Sequence, residues 1–470
     1  MSEVKKINPI HYVICAAFCL LFRFIPPVLG LTELGMGIIG TFIGAVYGWI
    51  LIDMLWPSML ALLGIGLSIG MDKMMAGSFG SLTVVALIVC MMAVGAAMKN
   101  GAFSWMAMKL LTSKALAGKG YLTIFLIMMI AWITGSFNPI VMCLIFCAFL
   151  TSMFKQVGVQ KNDPLVLFTF IGVAYQLMRG QILFPFMGTG LTYMMSYNNM
   201  FPDLPMPTGS YLIMMVSMGL IMAVVYIMLM KFVFRVDVSP LANYKREGGV
   251  PPATKGQKTA LVIFALFLIT MILSVFGPAP VRDFLAHFGI VGITIVFGVL
   301  VPLLKDEKGQ PVGKLQELLS MCDWGQITMM GYIMVVSGQM MLPETGISKA
   351  IACLFQPFMG LPPMVFIVVV MILATILTNV ANNVLVTVLC MPFLVSFGTS
   401  IGMNPVGMVC LLFIISEFAL ATPAASPVTA VAFSQEMVTS TAMTKTALKV
   451  LVPLFIVFLL VAWPLQALIF

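Results

Sequence analysis

Long apolar runs bounded by Gly, Pro or charged residues recur from one end of this chain to the other. Each approaches the roughly 20 residues that cross a hydrocarbon layer about 30 Å thick. They predict spans near 10–24, 34–52, 56–70, 80–98, 209–234, 258–276, 285–304, 324–342 and 443–467. Four further stretches break the pattern. Segments 120–153 and 361–397 carry polar clusters at mid-length, Gly135-Ser136-Phe137-Asn138-Pro139 and Thr378-Asn379-Val380-Ala381-Asn382-Asn383. Segments 163–199 and 404–441 are interrupted by Met178-Arg179-Gly180-Gln181 and by Thr422-Pro423-Ala424-Ala425-Ser426-Pro427. Irregular backbone at membrane depth is tolerated only where protein or a watery cavity satisfies its N–H and C=O groups. The first pair therefore reads as re-entrant helical hairpins and the second as discontinuous helices. The predicted fold is an all-α polytopic membrane protein with about 11 transmembrane helices plus two re-entrant hairpins.

A constant offset of 245 residues aligns the two halves. It sets Gly101 on Gly346, each opening an amphipathic stretch (101–117 and 346–358), and Asn138 on Asn383 in the hairpin centres. It also sets Leu167-Phe168 on Leu412-Phe413, Ala174 on Ala419, and the break at Met178 to Gln181 on Pro423 to Ser426. The chain then divides into a tail with the first span (1–33), repeat 1 (34–234), a linker rich in Gly, Pro and charge (235–257) and repeat 2 (258–470). An odd number of crossings between matched positions makes the repeats inverted, with the first hairpin entering from the cytoplasm and the second from outside.

Composition agrees with the membrane assignment and narrows the chemistry. Of the 470 residues, 61% are hydrophobic and 9% charged, against about 25% charged in soluble domains. Two histidines, His11 and His287, and 16 acidic residues, mostly in loops, leave little material for a metal site or an acid/base pair. No enzymatic activity, resident cofactor or metal centre is expected, and no nucleic-acid partner. The net charge of +8 is read loop by loop as orientation. With a cytoplasmic N-terminus, 17 Lys and Arg fall in cytoplasmic loops and only Arg23, Lys73, Arg282 and Lys349 outside, which puts the C-terminus outside. Met1 to Asn8 is short and polar, and the apolar stretch after it lacks a small-residue cleavage site. The pairs Cys15/Cys19 and Cys143/Cys147 read as buried small hydrophobes, and the 43 methionines as polarizable core filler.

The polar centres carry the chemistry. A half-helix that begins near the bilayer midplane aims unpaired N–H groups and a positive dipole end at the cavity, so it can hold an anion without a cation. Helix C-terminal ends and unwound backbone offer carbonyl oxygens, which suit Na⁺. Asn138 and Asn383 can give NH₂ donors to a carboxylate and a carbonyl to an ion, although capping of half-helices accounts for Asn and Ser here as well. Arg179 and Glu417 fall where charge is costly. Arg179 can bind an anion directly; Glu417 can carry a coupling proton, join a sodium site or pair with Arg179. Asp53 and Asp323, at helix entrances, read as solvated.

Amphipathic helix, hairpin with a central Asn and discontinuous helix, given twice in inverted form, resemble the divalent anion/sodium symporter family of the ion transporter superfamily over nearly the whole chain. In that family each hairpin tip carries a Ser-Asn-Thr motif. Counting back from Pro392 sets it here on Asn382-Asn383-Val384, and the repeat offset sets the first copy on Phe137-Asn138-Pro139. The central Asn matches both times and the flanking Ser and Thr do not. The family's Thr-Pro break matches Thr422-Pro423, while the corresponding first break has Arg179 and Gly180. The resemblance implies a homodimer with a rigid scaffold and a mobile unit that carries a small anion, with sodium as the coupling ion, by an elevator motion. The expected substrate contacts are Ser136, Asn138, Asn382, Asn383, Arg179, Thr422 and Pro423. The expected coupling-ion positions are Asn138, Asn383, Gly180, Gln181, Ala424, Ser426 and Glu417. Rival readings are a sodium/proton antiporter or metalloid-anion exporter of the same superfamily, with Glu417 titrating, and an intramembrane lipid enzyme built on Asp53 and Asp323.

Overall fold

The computed structural model describes residues 8–111, 120–243, 250–320, 322–340, 342–347, 349–350, 353, 362–380, 383–423 and 425–470. The fold is all-helical. Its first half contains α1 (Pro9–Ala16), α2 (Glu33–Leu51), α3 (Leu55–Ile69), α4 (Leu82–Lys99), α5 (Ala102–Leu111), α6 (Tyr121–Gly135), α7 (Pro139–Gln156), α8 (Pro164–Gly180), α9 (Gly188–Met200) and α10 (Thr208–Met228). The second contains α11 (Lys255–Phe276), α12 (Gly289–Leu300), α13 (Trp324–Met340), α14 (Pro363–Thr378), α15 (Asn383–Ser400), α16 (Pro405–Ser416), α17 (Pro427–Phe433) and α18 (Ser440–Ile469). Among the described residues six helices are long and apolar enough to cross a bilayer, or eight when two bent pairs each count as one span. Shorter apolar helices, α3, α6, α8, α14 and α16 among them, stand beside these, and the predicted count of about 11 spans is not settled by length and composition. The outer faces are apolar as well: on α18 Leu448, Val452, Ile456 and Leu460, four residues apart, form one exposed stripe.

Local sequence sets several of the helix starts. Asn8-Pro9, Asn138-Pro139, Asp163-Pro164, Asn404-Pro405 and Ser426-Pro427 each place a polar cap before a proline at the first helical position. The cap oxygen takes a backbone N–H left free by the helix geometry, and proline has no N–H to satisfy there. A start of this kind needs no water, which suits helices that begin inside a membrane.

Both polar centres lie between paired helices, as the pattern predicts. Ser136 to Asn138 separate α6 from α7, and residues 379–382 separate α14 from α15. Asn382 lies outside the described residues, as do Ala424 and most of the stretch 346–358. The two breaks are displaced from their expected places. Met178, Arg179 and Gly180 form the last turn of α8, and the break runs over 181–187. In the second half α16 ends at Ser416, so Glu417 opens a break that extends to Ser426, and α17 is only seven residues long. The register of 245 that superposes the tips therefore does not superpose the breaks.

Gly180 lies in a backbone contact. A Cβ on Gly180 would stand 2.1 Å from the carbonyl oxygen of Trp132, and one on Gly135 would stand 2.3 Å from that of Leu177. Two glycines thus bring α6 and α8 together with no side chain between them. This gives Gly180 a packing role. Loop contacts join segments that the charge count assigns to one side: Thr32 with Glu344, Ser210 with Ile469 and Asn404 with Phe470, and elsewhere Lys99 with Glu317, Lys155 with Glu436 and Asn162 with Thr439. Substituting Gly180→Ala is expected to lower stability by about 1–3 kcal/mol through overpacking. Thermal unfolding of the detergent-purified protein measures it, and an unchanged midpoint would show that α6 and α8 can separate freely.

Candidate functional site

The tips and breaks of both halves face one cavity with two lobes. The first, about 230 Å³, is lined by Ser136 and Asn138 of the first tip, by Gln181, Gly188 and Thr189 around the first break, and by Leu87, Cys90 and Met91 of α4. The second, about 150 Å³, is lined by Asn383 of α15, by Ser426 and Pro427 at the second break, and by Met54 and Met329. Pro139, Ile140, Gln181, Thr189, Asp323 and Gln326 line both lobes, so the two are continuous. The helices α7, α9 and α15, of 13 to 18 residues, all begin in this wall, and so does the short α17. Each start sets the partial positive end of its helix at the wall. No described lining residue is basic; Asp323 is the one charged group among them, and its Oδ1 accepts the N–H of Gln326 at 3.0 Å.

Asn138 caps α7: its Oδ1 accepts the N–H of Val141 at 2.9 Å. Ser136 Oγ donates to the carbonyl of Ile133 at 2.7 Å. Ser426 forms a reciprocal capping box with Thr429 at the start of α17. The capping account of these residues is thus correct, and it also holds them in the cavity wall.

Behind the wall lies a fully buried carboxylate. Glu417 Oε2 accepts from Gln181 Nε2 at 2.6 Å and from Asn383 Nδ2 at 3.0 Å, while Oε1 accepts from the Tyr193 hydroxyl at 2.9 Å. Three neutral donors thus replace the water that an ionised carboxylate would lose on burial. Arg179, only 2% exposed, makes no salt bridge with it. The guanidinium donates from Nη1 to the Tyr175 hydroxyl at 3.2 Å, lies against that ring, and leaves Nε unpaired. It lies behind the cavity lining, apart from the expected substrate contacts.

Asn379 stitches the second tip to the second break. It donates to the carbonyls of Thr375 and Phe418 and accepts the N–H of Ala421 at 2.7 Å, and its own carbonyl accepts from Thr422 Oγ1 at 2.8 Å. Thr422 is therefore a brace for the loop, and Pro423 beside it is exposed. Thr189, Tyr193, Asp323 and Gln326 are additions to the expected site residues. Thr189 and Tyr193 stand four residues apart on α9 and so share a face, which is a readable signal. Asp323 is exposed, as expected of a solvated residue, yet it caps α13 and stands in the cavity wall.

This arrangement sets broken helices and paired half-helices around a polar cavity inside an apolar bundle. No family model and no curated protein matches the sequence. Among solved structures the chain is similar to the Alcanivorax borkumensis YdaH transporter, described as having an unusual topology, with a TM-score of 0.57 and 10% identity. The match covers 84% of this chain and 88% of that one. At such identity the likeness concerns the fold.

Asn379→Leu is expected to destabilise the protein strongly, because each buried partner it orphans costs about 1–3 kcal/mol. Scanning fluorimetry in detergent reads the loss; a midpoint equal to the parent's would mean that the second break is held by other contacts.

Proposed function

We propose that the protein is a secondary active transporter that carries a small anion, a di- or tricarboxylate or an inorganic anion such as sulfate, across the cytoplasmic membrane. The observation that carries this reading is the convergence of helix N-termini and neutral amides on one cavity whose described lining has no basic side chain. A site built from helix ends can bind and release an anion without the deep trap of a fixed counter-charge. Asp323 in the same wall favours a cation travelling with the anion, and sodium is the first candidate. Similarity to the fold of a transporter supports the class. The cavity extends to Met54 and Asp323, at helix ends that the charge count assigns to the cytoplasm, which fits an inward-facing arrangement with a cytoplasmic N-terminus. A homodimer moving its site by an elevator motion completes the proposal. Asp53 and Asp323 each cap a helix start, at Trp56 and Gln326, which weakens the case for a lipid enzyme.

Purified protein in liposomes tests the proposal through uptake of labelled succinate, citrate and sulfate with and without an inward sodium gradient. At least one is expected to accumulate, and more so with sodium. Asn138→Ala and Asn383→Ala are each expected to reduce uptake about tenfold or more, the effect of losing one good hydrogen bond to a charged group. Normal uptake by both variants would remove these residues from the site, and proton exchange for sodium without anion movement would favour an antiporter.

A further inference from the structure

Two amides in the cavity wall are held in one orientation. Gln181 and Asn383 both donate from their NH₂ groups to the same oxygen, Glu417 Oε2. Their carbonyl oxygens also face hydroxyls: Thr189 Oγ1 donates to Gln181 Oε1 at 3.1 Å, and Thr378 Oγ1 lies 2.7 Å from Asn383 Oδ1 and 2.6 Å from the Ser416 carbonyl, which share its one proton. A side-chain amide has two N–H donors and one carbonyl oxygen. With the oxygen turned to a hydroxyl and one N–H bound to Glu417, the second N–H of each amide is the donor left for the cavity. Turning either amide over would set its oxygen against a carboxylate oxygen, two acceptors face to face.

We infer that Glu417 is a positioning residue that makes the cavity selective for anions, by holding the Gln181 and Asn383 amides with their N–H groups toward the cargo. The inference rests on the reading of the cavity as an anion site and says what gives the site its sign. Glu417 itself is fully buried and is not in the cavity lining, so it acts through the two amides. Tyr193 bonds the other carboxylate oxygen, Oε1, so Oε2 is left to the two amides. Because Gln181 follows α8 and Asn383 begins α15, one oxygen atom orients donors from both halves of the chain.

Binding of sulfate, succinate and citrate to the detergent-purified protein, followed by titration calorimetry, tests the inference. Glu417→Gln keeps one oxygen for the two amides and turns its NH₂ to the Tyr193 hydroxyl, which accepts as well as donates. It is expected to bind within about threefold of the parent, whereas Glu417→Leu, which accepts nothing, weakens binding at least about tenfold. Tyr193→Phe leaves Oε2 in place and is expected to bind like the parent. Thr378→Val frees the Asn383 oxygen without touching the carboxylate and is expected to weaken binding, so the inference stays testable if Glu417→Leu does not fold. Parent-like binding by monodisperse Glu417→Leu, or by Thr378→Val, overturns the positioning role. Loss of binding in Glu417→Gln equal to that in Glu417→Leu also overturns it, since the charge would then matter and the orientation would not. If the parent binds none of the three anions, the anion reading itself fails.

Discussion

A backbone N–H or C=O in hydrocarbon has no water to bond, and this constraint organises the whole chain. Continuous helices meet it along their length and fail only at their ends. The sequence nevertheless ends helices at both tips and both breaks inside an apolar bundle. Side chains close several of these ends: Asn138 and Ser426 close helix starts, and Asn379 takes up the carbonyl of Phe418 and the N–H of Ala421. Polar residues in this protein therefore first keep the irregular backbone in place, and the cavity is what that backbone encloses.

Charge is handled in the same way. Glu417 and Arg179 are both buried, near enough to interact electrostatically, yet they do not form an ion pair. Removing two ions from water is costly, and direct pairing recovers the cost only with good geometry and further hydrogen bonds. Here the carboxylate is compensated by an amide from each half and a phenol, and the guanidinium by a tyrosine hydroxyl and ring face. Breaking any one of these contacts leaves the others in place, whereas loss of one member of an ion pair would strand the other.

Much of the fold is legible in the sequence because membrane spans are read from length and polarity alone. The hairpin centres at Asn138 and Asn383 are legible for the same reason, since hydrocarbon penalises a polar cluster inside an apolar run unless the backbone turns there against protein. The helix breaks are less so. At Met178-Arg179-Gly180 the polar character suggests an interruption, but Gly180 lets α8 press onto α6 and continue for one more turn. At Glu417 the helix ends earlier than the prolines suggest, because the carboxylate turns to donors on three other segments, Gln181, Tyr193 and Asn383. Contacts of that range leave no mark on local pattern. Tyr193 shares a helix face with Thr189 in the sequence, but its bond to Glu417 is a contact of that range, and Asp323 escapes because a cap and a cavity-wall residue look alike in one dimension.

The glycine contact between α6 and α8 also has a mechanical consequence. Backbones that touch through Gly135 and Gly180 interlock and do not slide, so the first tip and the first arm of the broken helix form one stiff block. Leu87, Cys90 and Met91 of α4 with Gln326 and Met329 of α13 line the same cavity without belonging to that block. The cavity is thus bounded both by the stiff block and by helices outside it. Any shear between the two walls changes the cavity's access while the helix ends within the stiff block keep their positions.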